Sequence, residues 1–274
     1  MTRTSKGTAV ITGASTGMGA VYAERLARQG YDLLLIARDQ ERLARVANLV
    51  RAATDRKVEV FGADLAEPGA LREVEADLRS RDDIALLVNN AGVGSVAPLL
   101  DGDVEAMDAM IALNVTALTR LTYAVAPGMA ARGAGTIVNV SSIVAVATEM
   151  MNGVYGASKA YVLAFTQSLQ HELAGKGVRV QAVLPGVTAT GFWDALGHPL
   201  ERLPASVIMR VEHMVDAALA GLEQGEQVTI PGLQDGVRWT AYDAARRELA
   251  GLFGHAAPAA RYGVAQQHVA SQAA

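Results

Sequence analysis

The chain has no cysteine, which excludes disulfides, a thiol nucleophile and any thiolate metal site. Its five histidines, His171, His198, His213, His255 and His268, fall at no paired ligand spacing, so no metal centre is expected. Lys and Arg, 24 in all, are scattered rather than clustered and are outnumbered by 28 Asp and Glu, for a net charge of -4. No nucleic-acid-binding face is therefore expected. No uninterrupted apolar run reaches the ~18 residues of a membrane span, and the first residues lead into a strand without a signal-peptide pattern. The expectation is a cytoplasmic protein with no membrane partner. What the chain does have is apolar bulk. With 51% hydrophobic and 19% charged residues over 274 positions, it can bury the core of one large α/β domain or two small ones.

Strand-like runs alternate with helical patterns. The strands are predicted at Thr8 to Thr12, Asp32 to Ala37, Val58 to Gly62, Ala85 to Asn89, Thr136 to Ser141, Val178 to Leu184 and Gln227 to Ile230. Runs such as Leu33-Leu34-Leu35-Ile36 are continuously apolar, as in a parallel sheet covered on both faces. Helices are predicted at Met18 to Gln29, Gln40 to Ala53, Ala70 to Arg79, Val104 to Ala131 with a bend near Pro127, Tyr155 to Lys176, and Val211 to Gln224. Short links and regular alternation predict a single doubly wound α/β domain over residues 1–254. An irregular stretch at 187–210 carries Phe192, Trp193, Leu196, Leu200 and Leu203 just past a strand's C-terminal end. That is where open sheets bind ligands, so it is read as a lid, with a surface excursion on the sheet edge as the other possibility. Residues 255–274, rich in Ala and Gln, are read as a tail that is either mobile or in contact with another subunit.

The run Val10-Ile11-Thr12-Gly13-Ala14-Ser15-Thr16-Gly17-Met18-Gly19 passes from a strand through three glycines into a helix. Glycines allow a tight turn and close backbone approach to a pyrophosphate, while the helix start offers free N–H groups and partial positive charge. At the end of the second strand an acid would accept from the ribose 2′-OH of NAD, whereas an arginine would pair with the 2′-phosphate of NADP. The strand ends Ile36-Ala37-Arg38, which points to NADP. Asp39 could instead be the ribose acceptor, but is read as the N-cap of the next helix.

Tyr155 and Lys159 are four residues apart, with Ser142 thirteen residues upstream of the tyrosine. On a helix, positions i and i+4 share a face. The ammonium of Lys159 and a nicotinamide ring are then both expected to pull the Tyr155 phenol below its ordinary pKa of ~10, toward a value where it can trade a proton near neutrality.

With Thr12-Gly13, Gly17, Gly19, Asn89-Asn90-Ala91-Gly92, Asn114, Ser142, Tyr155, Lys159 and Pro185-Gly186 in this order, the stretch from Thr8 to Ile230 resembles the short-chain dehydrogenases/reductases. The resemblance implies a Rossmann fold and NADP(H)-dependent interconversion of a carbonyl and an alcohol. It assigns Tyr155 as general acid/base, Lys159 to the nicotinamide ribose and to lowering the Tyr155 pKa, and Ser142 to the substrate oxygen. Asn114 would hold the helix and a water linking Lys159 to solvent. For the cofactor, Gly13, Ser15, Thr16, Gly17, Met18 and Gly19 would surround the phosphates, and Asp64 and Leu65 the adenine. Asn90, Ala91 and Gly92 would line the ribose and nicotinamide side, and Pro185, Gly186, Val187 and Thr188 would contact the carboxamide. A small, hydrophobic carbonyl or alcohol substrate and a homodimer or homotetramer are implied. An epimerase or dehydratase, or a redox sensor without turnover, are the alternatives that the residues leave open.

Overall fold

Every residue of Thr8–Thr12 (β1) is buried, as are all but the first of Asp32–Ala37 (β2). Such strands cannot leave either face to solvent, so helices must cover both. The computed structural model, which describes residues 5–264, shows this arrangement. Strands β1, β2, Val58–Gly62 (β3), Ile84–Asn89 (β4), Gly135–Val140 (β5) and Val178–Val183 (β6) carry most of the sheet. Between them run the helices Gly17–Arg28 (α1), Gln40–Ala53 (α2), Pro68–Ser80 (α3), Val104–Ile111 (α4), Leu118–Arg132 (α5) and Gly153–Glu172 (α6). After β6 come the two-residue strand Thr188–Ala189 (β7), the short helix Phe192–Ala195 (α7), Met209–Arg210 (β8), Val211–Glu223 (α8), Val228–Thr229 (β9) and Gly236–Ala250 (α9).

The seven-stranded sheet has the order β3-β2-β1-β4-β5-β6-β9, and each strand pairs in parallel with its neighbours. Alternate residues feed opposite layers. Ala9, Ile11, Leu33 and Leu35 pack with Tyr22, Leu26, Leu43 and Met214 from α1, α2 and α8. Val10, Leu34, Ile36 and Leu87 pack with Leu71, Val74, Leu121 and Met129 from α3 and α5. The order reverses between β1 and β4, which opens a crevice at their C-terminal ends. Gly13 to Gly19 follow β1 and Asn90 to Gly92 follow β4, while Arg38, Asp64, Ser142 and Pro185 follow the ends of β2, β3, β5 and β6.

The structure departs from the predicted elements in three places. The long helix is continuous through Pro127, and its irregularity is instead a π-helical turn at Ala112–Ala117. Val104–Arg132 is also the one helical run among the described residues long and apolar enough to cross a membrane by length and composition. Leu121, Val125 and Met129 spend that apolar character on the core. Helix α6 ends at Glu172 rather than Lys176. Helix α9 has no counterpart among the predicted elements. By contacts the chain divides into two compact units, Met1–Gly232 and Leu233–Ala274. The first holds the sheet. The second carries α9, capped by Asp235, whose side chain accepts from Val237 N, and a single turn at Ala260–Tyr262. The expected tail at 255–274 lies partly outside the described residues.

Candidate active site

The glycine-rich turn is shaped by backbone proximity. Gly13 and Gly17 adopt φ of 65° and 55°, values open mainly to glycine. A Cβ on Gly13 would stand 2.8 Å from Asn90 Nδ2, and one on Gly19 would stand 2.3 Å from the Gly13 carbonyl oxygen. The turn is fastened to the end of β4. Thr12 Oγ1 accepts from the N–H groups of Asn90 and Ala91, both at 3.0 Å, and Asn90 Nδ2 donates to the Thr12 carbonyl at 2.9 Å. Asn90 therefore lines the crevice as expected, but its amide nitrogen is committed to the turn. At the start of α1, the Thr16 side chain caps nothing and the first turn holds no acid. Its N–H groups and positive dipole end fit a phosphate, with Ser15 and Met18 half-buried beside them.

Beyond β2, Asp39 caps α2 by accepting from Arg42 N at 2.9 Å. Its carboxylate is occupied there, as the sequence suggested. Arg38 keeps its side chain 79% exposed and reaches Asp64 at 3.5 Å. Leu65 is 4% exposed within the core, so of the pair assigned to the adenine only Asp64 offers a side chain to that rim.

Helix α6 begins with Asn152, whose Oδ1 accepts from Val154 N and Tyr155 N. This sets Tyr155 in the first turn, and i+4 spacing carries Lys159 to the same side. Tyr155, Ser142 and Lys159 are all buried, at 6%, 8% and 6% exposure. Ser142 Oγ donates to the Pro185 carbonyl at 3.5 Å and accepts from Val144 N at 3.3 Å, close enough to the Tyr155 phenol to act on it. Lys159 Nζ donates to the Val140 carbonyl at 3.0 Å and lies 5.9 Å from the Tyr155 ring centre. Asn114 sits in the π turn, a form of helix often found at functional sites. Its Nδ2 donates to the Val93 carbonyl at 2.9 Å and to Ser158 Oγ at 3.1 Å, and its Oδ1 accepts from Val93 N at 3.0 Å. Any Cβ on Gly92 would come within 3.1 Å of Asn114 Oδ1 and 3.4 Å of Lys159 Nζ. Glycine there leaves both polar atoms room.

The electrostatics correct one expectation. Burial pushes the Tyr155 phenol up to about 12, against the opposing pull of the nearby Ser142. Burial pushes Lys159 down to about 8. Desolvation of each group thus outweighs the attraction between them, and Lys159 does not bring the phenol below its ordinary value.

Ser142, Tyr155 and Lys159 line a cavity of about 460 Å³ together with Met18, Asn90, Gly92, Pro185, Gly186, Val187 and Thr188. Gly13, Ser15, Thr16, Gly17, Gly19, Arg38, Asp64, Leu65, Ala91 and Asn114 are outside its wall. The 187–210 segment supplies part of that wall, including Phe192, Trp193 and Leu203. Phe192 packs on Tyr155 with ring centres 6.0 Å apart, and Trp193 meets Phe192 edge-on at 5.6 Å. Several lining residues went unread in the sequence: Thr190, His198, Arg202, Met150 and Met151. Thr190 closes over the glycine turn, its Cγ2 3.3 Å from where a Gly17 Cβ would stand. No local spacing marks these positions, because only the folded chain brings them to the wall.

The short chain dehydrogenase family matches residues 7–200. A short-chain dehydrogenase from Sphingobium yanoikuyae in complex with NADPH shares 44% identity, covering 93% of this chain and 100% of that one, with a TM-score of 0.90. The bulky-bulky ketone specific alcohol dehydrogenase from Comamonas testosteroni shares 42% identity, covering 93% of this chain and 98% of its own, with a TM-score of 0.86. The 17-beta-hydroxysteroid dehydrogenase type 3 of Danio rerio is 35% identical over 224 residues, 80% of this chain and 71% of that protein. On its matched sequence, its sheet order and the residues gathered in its crevice, this chain belongs to the short chain dehydrogenase family of oxidoreductases.

Proposed function

We propose that the protein interconverts a bulky, largely apolar ketone or aldehyde with its alcohol, using NADP(H), and that Tyr155 is the acid/base. The observation that carries this reading is the convergence of Ser142, Tyr155 and Lys159, all buried, on the wall of one cavity. The α1 turn, Gly92 and Lys159 would hold a nicotinamide dinucleotide, which would supply or take up the hydride when bound. Tyr155 delivers the proton to the carbonyl oxygen in reduction. A phenol pushed up to about 12 stays protonated at neutral pH, which suits the donor role. Ser142 donates to the same oxygen and stabilises its growing negative charge. Phe192 and Trp193 exclude water above the reacting carbon. Tyr155→Phe keeps the ring packing and removes the proton, so turnover should fall at least ~10²-fold while cofactor affinity stays near normal. Near-normal turnover would sink the assignment.

NADP is favoured over NAD because Arg38 is held at the rim with Asp64 as its partner, while the Asp39 carboxylate is committed to its cap. The bound NADPH of the Sphingobium relative supports the same reading. Arg38→Ala removes a charge-assisted contact to the 2′-phosphate, and the NADPH Michaelis constant should rise roughly ten- to hundredfold. NADH kinetics should hardly change; equal weakening of both cofactors would overturn the preference. A homodimer or homotetramer built on α5 and α6 belongs to the same proposal.

A further inference from the structure

The cavity has a far end as well as a reacting one, and its charge is one-sided. No Asp or Glu is among the residues that line it, whereas Lys159, Arg202 and His198 are. This stands out in a chain with a net charge of -4. Lys159 lies at the reacting end. The lid's packing gives the order outward: Tyr155 meets Phe192, Phe192 meets Trp193, and the Trp193 carbonyl accepts from His198 N at 3.1 Å. Pro199 follows, and its carbonyl accepts from Arg202 N at 3.1 Å. Arg202 follows the aromatic pair in the chain, at the end of a 3-10 turn spanning Leu200–Arg202, and lines the same cavity.

Arg202 forms no ion pair among the described residues, although Arg25, Arg38, Arg81, Arg120 and Arg246 each hold a carboxylate. An exposed guanidinium on an apolar cavity wall is a fork for a carboxylate. The bulk between the two ends is apolar, with Met150 and Met151 beside Val144 and Leu203, and methionine adapts readily to the shape of what it packs against.

We infer that Arg202, with His198 beside it, reads an anionic group on the substrate, so that the preferred ligand is a keto acid with a bulky apolar group on one side of the carbonyl and a carboxylate-bearing chain on the other. This rests on the carbonyl–alcohol reading above and adds the substrate class. The carboxylate takes no part in the chemistry; it anchors the distal end and sets the carbonyl at Tyr155 and Ser142.

The test compares β-benzoylpropionate with its methyl ester, which has the same carbonyl and nearly the same bulk but no charge. Trp193 lies on the cavity wall, so quenching of its fluorescence reads binding without turnover. NADPH oxidation reads the reaction separately. In the wild-type protein the acid should bind at least about tenfold more tightly than the ester, and Arg202→Ala should remove that advantage while leaving the ester within about twofold. Arg202→Lys should restore part of it, and the NADPH Michaelis constant should not move. Equal binding of acid and ester by the wild type, an equal effect of Arg202→Ala on both, or a matching loss of NADPH affinity would overturn the inference. If the binding difference holds but neither probe is reduced, the anion site stands and the carbonyl–alcohol reading fails.

Discussion

Lys159 is the costliest residue of the site to fold. Its amine is buried and held at about 8, below its usual 10.5, so folding disfavours the charged form. The sign follows directly: the penalty is fully present below pH 8, is relieved as pH rises from 8 to 10.5, and is absent above that. Lys159→Met keeps the length and removes the charge. At pH 7 the variant should be more stable by on the order of 1–2 kcal/mol, after allowing for the Val140 carbonyl left without its donor. That corresponds to a melting temperature higher by a few degrees. Calorimetry at pH 7 and at pH 10 checks it, since the gain should vanish at the higher pH while activity is lost at both. A destabilised variant at pH 7 would mean that the hydrogen bond to Val140 outweighs the desolvation of the ammonium. Stability and function oppose one another here, as they often do at sites that hold a charge away from water.

At the scale of elements, what could be read from the sequence was what depends on near neighbours in the chain. The strands were legible because a continuous apolar run bounded by turn residues fits a strand covered on both faces and little else, and β1, β2 and β3 fall at the predicted residues. The Asp39 cap and the shared face of Tyr155 and Lys159 were legible for the same local reason. Helix α9 was not, because only Asp243 along it is buried, so no apolar stripe exists to reveal its period. The π turn was equally hidden: it leaves composition unchanged, and the contact made from it, Asn114 on both backbone groups of Val93, lies across the fold. The shift of Tyr155 could not be foreseen from spacing, since it comes mainly from burial, which the assembled lid and sheet create. Arg202 and His198 reach the cavity by the same kind of assembly and carried no motif.

For the whole molecule, the aromatic surface of α5 and α6 is where the proposed assembly can be tested. Tyr123 stacks on Phe165 with ring centres 6.4 Å apart, and Tyr161 stacks on the same ring at 5.7 Å. Yet Tyr123 is 61% exposed, so this aromatic row is ordered while still facing outward. Aromatic rows of this kind are suited to the centre of an interface. Light scattering at micromolar concentration should therefore report a dimer or tetramer, and Tyr123→Asp should shift it toward monomer. A monomeric wild type would refute the assembly.

The short parallel pair β7 and β8 joins Thr188 to Met209 and Ala189 to Arg210. The chain thus leaves for the lid and returns from it at adjacent points, both outside the main sheet. Everything between, residues 190–208, is a loop with clasped ends. Changing the length of such a loop costs only slowly in closure entropy, and the sheet, the glycine turn and Tyr155 all lie elsewhere. A different segment set between the same two clasped points would give the cavity a different cover, while Ser142, Tyr155 and Lys159, which stand on other elements, would keep their register.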